Sequence, residues 1–103
     1  MKSFLISDNH DTQVLLRLGG IPGVVAHGRE ECLKALSFAL AIEDLGLLVV
    51  TELVAACIPD EVNRVRESVT LPLLAEIPDR HGTRRGKDFL TRYIHEVIGV
   101  KVS

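Results

Sequence analysis

The sequence has very few aromatic residues, and this scarcity argues against one class of function at the outset. Of its 103 residues, none is tryptophan, one is tyrosine and three are phenylalanine. Proteins that bind single-stranded nucleic acid stack the bases on aromatic side chains. With so few rings available, we predict no nucleic-acid partner.

The sequence also lacks an excess of charge of one sign and lacks long hydrophobic runs. It has 12 lysines and arginines against 14 aspartates and glutamates, a formal net charge of -2, so no strong field attracts the chain to anionic partners. Apolar runs such as residues 45–50 are far shorter than the roughly 18–20 residues of a membrane helix. The first three residues lead directly into a strand-like run and not into a signal segment. We therefore expect a cytosolic protein with no direct membrane span.

Cysteine is scarce, and the two cysteines do not form a recognisable motif. Cys32 and Cys57 lie far apart, without a CxxC pair, which predicts two buried, reduced thiols and neither a disulfide framework nor a zinc site. The four histidines share no i, i+4 spacing, so no metal site is predicted from them. The 47% hydrophobic and 25% charged content is typical of a single globular domain.

Short apolar runs alternate with helical patterns along the chain, which predicts an α/β fold. We predict strands at residues 4–6, 24–25, 47–50 and 72–78, and helices at residues 11–18, 29–45, 53–69 and 87–98. Such alternation favours parallel crossovers with helices on both faces of a four-stranded parallel sheet, a Rossmann-like or receiver-like three-layer α/β/α sandwich. The sandwich is expected at residues 1–80, with a loop and a C-terminal amphipathic helix at 81–103 as part of the same domain.

Three local features refine this prediction. The unbroken apolar run at residues 47–50 indicates a central strand that is buried on both faces. Pro72 and Pro78 bracket the fourth strand, which favours an edge position because proline cannot donate a hydrogen bond to a neighbouring strand. Pro59 predicts that the third helical segment breaks near Ile58 and restarts at the proline.

Polar residues follow the predicted strands at the sheet edge where α/β proteins bind ligands. Ser7, Asp8 and Asn9 follow the first strand and are residues that can cap the first helix, a role that we expect of Asp8. An acidic residue here also resembles the magnesium-binding pocket of phospho-receiver domains, but their phosphate-accepting aspartate would end the third strand, where this chain has Thr51-Glu52. A phospho-receiver-like or small-ligand sensor domain stays open as an alternative function, and an enzyme using Cys57 or His10 rests on residue identity alone.

Motifs for nucleotide chemistry are incomplete. The segment from Gly82 to Asp88 has two glycines and a lysine, as a P-loop does, but the glycine spacing is one residue short. Asp88 also stands where a P-loop has the serine or threonine that binds magnesium. No GxGxxG motif follows the first strand. We therefore predict no catalytic residue, no cofactor and no metal ion.

The last predicted helix carries the clearest candidate for a binding site. Its apolar residues form one continuous sector of the helix, and they are Phe89, Leu90, Tyr93, Ile94, Val97 and Ile98. Such a stripe either packs on the sheet of the same chain or docks against a partner's groove or coiled coil. The preceding loop holds a basic cluster that includes Arg84 and Arg85, which either is solvated or contacts a partner. These eight residues are our predicted partner-binding residues.

Several segments, in order along the chain, resemble the F subunit of the vacuolar-type and archaeal-type rotary ATPases. They are the Ser7-Asp8 turn, residues 17–21, residues 47–55, residues 71–78 and the helix end at Ile98-Gly99. The resemblance implies the same α/β sandwich with a C-terminal helix. The chain departs from the family at Pro59, where the family's third helix is expected to continue without a break.

The resemblance also implies a function. It points to a non-catalytic component of the central rotor stalk, which binds the coiled-coil D subunit and is linked through it to the catalytic head and the membrane rotor ring. Such a component helps to couple ATP hydrolysis or synthesis to proton or sodium ion transport. It would be cytoplasmic and peripheral to the membrane through the ATPase complex.

Overall fold

The computed structural model describes residues 1–78, in which strands and helices alternate. The strands are β1 (Lys2–Ser7), β2 (Gly23–Val25), β3 (Leu45–Thr51) and β4 (Leu73–Ile77). The helices are α1 (His10–Leu18), α2 (Gly28–Leu40), α3 (Glu52–Cys57) and α4 (Pro59–Glu67). The predicted loop and C-terminal helix at 81–103 lie outside the described residues.

The four strands form one parallel sheet in the order β2-β1-β3-β4. Leu5 of β1 pairs with Gly23 on one side and with Val49 on the other, and Val49 in turn pairs with Ala75 of β4. The predicted four-stranded parallel sheet is confirmed. In the part of the chain that the structure describes, β4 lies at an edge of this sheet, as its flanking prolines predicted.

Both faces of the sheet are covered by helices. On one face, Phe4, Ile6, Leu48 and Val50 belong to a core cluster that includes buried residues of α2, α3 and α4. On the other face, alternate residues of the same strands pack with α1, and they are Leu5, Leu47 and Val49, joined by Leu16 and Ile77. Successive strand residues point to opposite faces, so one short sheet supplies two separate cores and the three-layer prediction is confirmed.

Strand β3 is the most deeply buried element among the described residues. All seven of its residues are buried, which explains why its sequence is a continuous apolar run without the alternation of a half-exposed strand. Its side chains divide between the two cores, with Leu48 and Val50 on one face and Leu47 and Val49 on the other. Thr51 ends the strand and is the N-cap residue of α3.

Pro59 breaks the third helical segment at the predicted place. Helix α3 ends at Cys57, and α4 begins with the proline in its first turn, where the missing amide hydrogen removes no helical hydrogen bond. Ile58 lies between the two helices with non-helical dihedral angles (φ -135°, ψ 59°). Its side chain is fully buried, so the break is anchored in the core.

One predicted helix end is wrong. Helix α2 ends at Leu40, not at Leu45, because Leu45 pairs with Lys2 as the first residue of β3 and sheet pairing overrides its helix propensity. Asp44 takes a positive φ of 66° in the turn before it. Helix α4 ends at Glu67, and the extended Ser68 (ψ 138°) directs the chain away from it, which leaves Val69 completely exposed.

Charged and apolar side chains both mark the edge strand β4. Glu76 forms an ion pair with Arg66 of α4, with Oε1 2.8 Å from Nη2. Leu73, at the start of the strand, is 66% exposed. None of the helices in residues 1–78 combines the length and the hydropathy that crossing a membrane requires.

The close approach of β2 to β1 generates a stability prediction. A Cβ atom at position 23 would lie 2.6 Å from both the Cβ and the carbonyl oxygen of Leu5, which is fully buried. We expect Gly23→Ala to lower the free energy of unfolding by about 1–3 kcal/mol, because the strand must shift to relieve the overlap. Urea denaturation followed by circular dichroism measures the change.

Gly46→Ala is the matched control, since Gly46 also lies in a strand. The three atoms nearest to a Cβ at position 46 all belong to the flexible side chain of Met1. That side chain can move aside, so we expect a loss of less than about 1 kcal/mol. Equal losses for the two variants would contradict the role of the Leu5 contact.

Candidate functional site

The structure brings together the polar residues that follow the first and third strands. Strands β1 and β3 are neighbours and run parallel. Their last residues, Ser7 and Thr51, therefore lie at the same edge of the sheet, and both are buried. The backbone N–H of Asp8 donates a hydrogen bond to Thr51 Oγ1 over 3.2 Å. The edge formed by the carboxyl ends of the strands, here called the carboxyl edge, is where a site was predicted. This hydrogen bond connects the loop after β1 to the end of β3 there.

Asn9, and not Asp8, caps helix α1. Asn9 has extended dihedral angles (φ -142°, ψ 151°), and its Oδ1 accepts a hydrogen bond of 2.7 Å from the backbone N–H of Thr12. The capping role predicted for Asp8 is wrong because the helix begins at His10 and places Asp8 one residue too early. Asp8 Oδ1 instead accepts a bond of 3.3 Å from Asn9 Nδ2. Asn9 is held in turn by Ser7, whose Oγ accepts the Asn9 N–H over 3.0 Å.

His27 joins the second strand–helix turn to the same edge. Its Nε2 lies 2.7 Å from the carbonyl oxygen of Asp8, and because a carbonyl can only accept, Nε2 carries the hydrogen. The backbone N–H of His27 donates to Glu31 Oε1 over 2.8 Å. Sequence reasoning assigned His27 only to a turn. The available signal was Glu31, an acidic residue in the first turn of a helix that can reach back to the N-cap amide.

The polar residues of the carboxyl edge form hydrogen bonds within the chain. The backbone or side chains of Asp8, Asn9, His27 and Thr51 all take part in hydrogen bonds that fix the loops after β1 and β2. Thr51 stands where a phospho-receiver has its phosphate-accepting aspartate. Within residues 1–78, no group of three or more histidine, cysteine, aspartate or glutamate side chains is placed to hold a metal ion.

Arg29 connects three helices on the α2 face of the sheet. Its Nη2 lies 2.8 Å from Glu61 Oε2 of α4, and its Nη1 donates to the carbonyl oxygen of Cys57 over 3.3 Å. The pKa of the Glu61 carboxyl group is lowered, first by a hydrogen bond from its own backbone and to a lesser extent by the bond from Arg29. One side chain thus holds the start of α2 against the end of α3 and the start of α4.

A shallow apolar groove lies beside the same helices. It has a volume of about 300 Å³ and is lined mainly by apolar side chains from α2, α4 and the segment that enters β4, with Glu61 and Arg64 as charged members. Leu40 and Leu71 line it and are 45% and 53% exposed. Sequence reasoning missed this groove, because Leu71 and Pro72 reach α2 only through the tertiary fold.

The eight predicted partner-binding residues lie outside the described residues. They are Arg84, Arg85, Phe89, Leu90, Tyr93, Ile94, Val97 and Ile98. Their role therefore stays a prediction.

The sequence matches a known family over most of its length. The family model for the ATP synthase (F/14-kDa) subunit matches residues 4–94. The F subunit of the A-type ATP synthase of Methanosphaera stadtmanae is 31% identical over 94 residues, which cover 89% of this chain and 88% of the relative. The corresponding protein of Methanocaldococcus jannaschii is 28% identical over 99% of both chains. That of Pyrococcus furiosus is 29% identical over 99% of this chain and 98% of the relative.

The capping contact at the carboxyl edge generates a second stability prediction. Asn9→Ala removes the side-chain acceptor for the Thr12 N–H, and loss of such a cap typically costs about 1 kcal/mol. We expect that loss in the free energy of unfolding, measured by urea denaturation. Asp8→Ala is the neighbouring control and should cost clearly less, because the Asp8 side chain accepts only a longer bond from Asn9. A larger loss for Asp8→Ala would contradict the assignment of the cap to Asn9.

Proposed function

The chain belongs to the family of the ATP synthase (F/14-kDa) subunit, and we propose that it is a non-catalytic component of the central rotor stalk of a V-type/A-type rotary ATPase. In this role it binds the coiled-coil D subunit. Through that partner it helps to couple ATP hydrolysis or synthesis to proton or sodium ion transport. The observation that carries the proposal is the full-length similarity to F subunits of A-type ATP synthases, which covers 99% of both chains in the Methanocaldococcus jannaschii comparison.

The proposed contact with the D subunit is made by the apolar sector of the C-terminal segment. The family match extends to residue 94, so it includes Phe89, Leu90, Tyr93 and Ile94 of that sector. An amphipathic helix that places its apolar side chains in the seam of a coiled coil gains free energy from every side chain removed from water. Arg84 and Arg85 precede this sector and are suited to contact acidic groups on the partner.

The described part of the chain supports a mechanical role. The sheet is held between two cores, and Arg29 ties three helices together on one side. At the carboxyl edge, the hydrogen bonds of Asp8, Asn9 and Thr51 are made within the chain. A small domain braced in this way is suited to act as a rigid body fixed to a rotating shaft.

We also propose where the protein resides. As a member of a rotary ATPase it would be attached to the membrane through the other components of the complex, on the cytoplasmic side. Its links to the catalytic head and to the membrane rotor ring would be indirect, through the coiled-coil partner.

Co-expression with the cognate D subunit tests this function. We expect the two chains to elute together in size-exclusion chromatography at micromolar concentration, in a fixed ratio. The double variant Tyr93→Glu with Ile94→Glu should weaken binding at least about tenfold, because burying unpaired carboxylates in an apolar seam is costly. Isothermal titration calorimetry measures the change.

The double variant Arg92→Gln with His95→Glu is the matched control. It changes the formal charge by the same amount but lies outside the apolar sector, so binding should be nearly unchanged. Circular dichroism establishes that both variants stay folded. Separate elution of the wild-type chain and its coiled-coil partner, or equal weakening by both double variants, would contradict the proposed interface.

A further inference from the structure

The two cysteines, distant in the sequence, are neighbours in the fold. Cys32 lies in α2 and Cys57 is the last residue of α3, and these helices pack against each other. Arg29 precedes Cys32 by one turn on the same face of α2, and its guanidinium group donates to the carbonyl oxygen of Cys57. The Arg29 contact therefore fixes the end of α3 beside the turn of α2 that carries Cys32.

The two thiols differ in their access to solvent. Cys32 is 1% exposed and belongs to the core cluster between the helices and the sheet. Cys57 packs against that cluster and is only partly buried, which corrects the prediction that both cysteines are buried. Both are free thiols. A partly exposed cysteine thus lies next to a shielded one.

We propose that Cys32 and Cys57 form a modification site, at which a small disulfide such as glutathione disulfide converts the two thiols into an intramolecular disulfide between α2 and α3. A partly exposed cysteine with a second thiol beside it is an arrangement found in redox-responsive sites. This inference goes beyond the rotor-stalk function and does not depend on it.

The reaction takes place in two exchange steps. The Cys57 thiolate attacks one sulfur of glutathione disulfide, a bond forms between Cys57 and that glutathione, and the second glutathione leaves as a thiolate that takes up a proton. Cys32 then loses its proton and attacks Cys57 Sγ, which expels the bound glutathione. The two protein thiols are oxidised, and one glutathione disulfide is reduced to two glutathione thiols.

The surroundings of Cys32 slow the second step. The pKa of Cys32 is raised to about 11. Burial is the largest cause, and the nearby Cys57 thiol and the charges of Glu31 and Asp8 are smaller ones. Only a small fraction of Cys32 is then a thiolate near neutral pH. As long as the pH is below the pKa, that fraction increases about tenfold for each unit by which the pH is raised. Arg29, one turn before Cys32, is paired with Glu61 and bonded to the Cys57 carbonyl.

The disulfide would attach the end of α3, next to the Pro59 break, to α2. Cys57 is followed directly by Ile58, the buried residue at which α3 ends and α4 begins. A covalent link from Cys57 to α2 would fix the end of α3 in addition to the Arg29 contacts. It would link two of the three helices that Arg29 joins, α2 and α3.

Mass spectrometry of the folded, reduced chain treated with glutathione disulfide tests the proposal. We expect the wild-type chain to lose both free thiols and two hydrogen atoms in mass, without intermolecular dimers. Between pH 7 and pH 8, closure of the mixed disulfide should accelerate about tenfold, because the thiolate fraction of Cys32 rises by that factor. A stable glutathione adduct with Cys32 still free, or a closure rate independent of pH, would overturn the proposal.

Single variants separate the roles of the two thiols. In Cys32→Ala the glutathione adduct should persist on Cys57, since nothing displaces it, and Cys32→Ser serves as a second variant if the alanine variant is not folded. In Cys57→Ser, Cys32 should stay unmodified because its thiol is shielded. Displacement of glutathione in the Cys32 variants, or rapid modification of Cys32 in Cys57→Ser, would contradict the assignment.

Discussion

Burial of β3 on both of its faces is the constraint on which the described fold depends. Leu48 and Val50 enter one core, and Leu47 and Val49 enter the other. Each such side chain contributes roughly 1.5–3 kcal/mol when it is removed from water, but only if helices cover both sides of the sheet. Parallel crossovers meet this requirement because they return the chain to the sheet through a helix. The remaining elements are arranged around this strand.

The polar chemistry of the described residues follows from the same arrangement. Parallel strands bring Ser7 and Thr51 to one edge, and the loops that leave this edge must satisfy backbone groups that the sheet no longer pairs. Asn9 and His27 do so with short side chain–backbone bonds. In many α/β enzymes such positions hold ligands, whereas here these residues fix the loops. This use of the edge agrees with a protein whose proposed role is mechanical.

The success of sequence reasoning depended on whether a feature was local. The buried run of β3 and the break at Pro59 could be predicted, because composition and proline chemistry determine them within a few residues. The end of α2 could not be predicted, because Leu45 has good helix propensity but pairs with Lys2 as part of the sheet. Choosing Asn9 over Asp8 as the cap required the helix start to within one residue. The Cys32–Cys57 pair and the groove at Leu71 arise only when helices pack.

The edge strand β4 has a consequence for the behaviour of the chain in solution. An open strand edge offers unpaired backbone groups on which other chains can add, the first step of aggregation. Here Pro72 stands directly before the strand, and Glu76 places a carboxylate within it, held by Arg66. A proline and a charge on an edge strand both disfavour such addition. Both features are built into the sequence at β4 and oppose its pairing with a strand of another molecule.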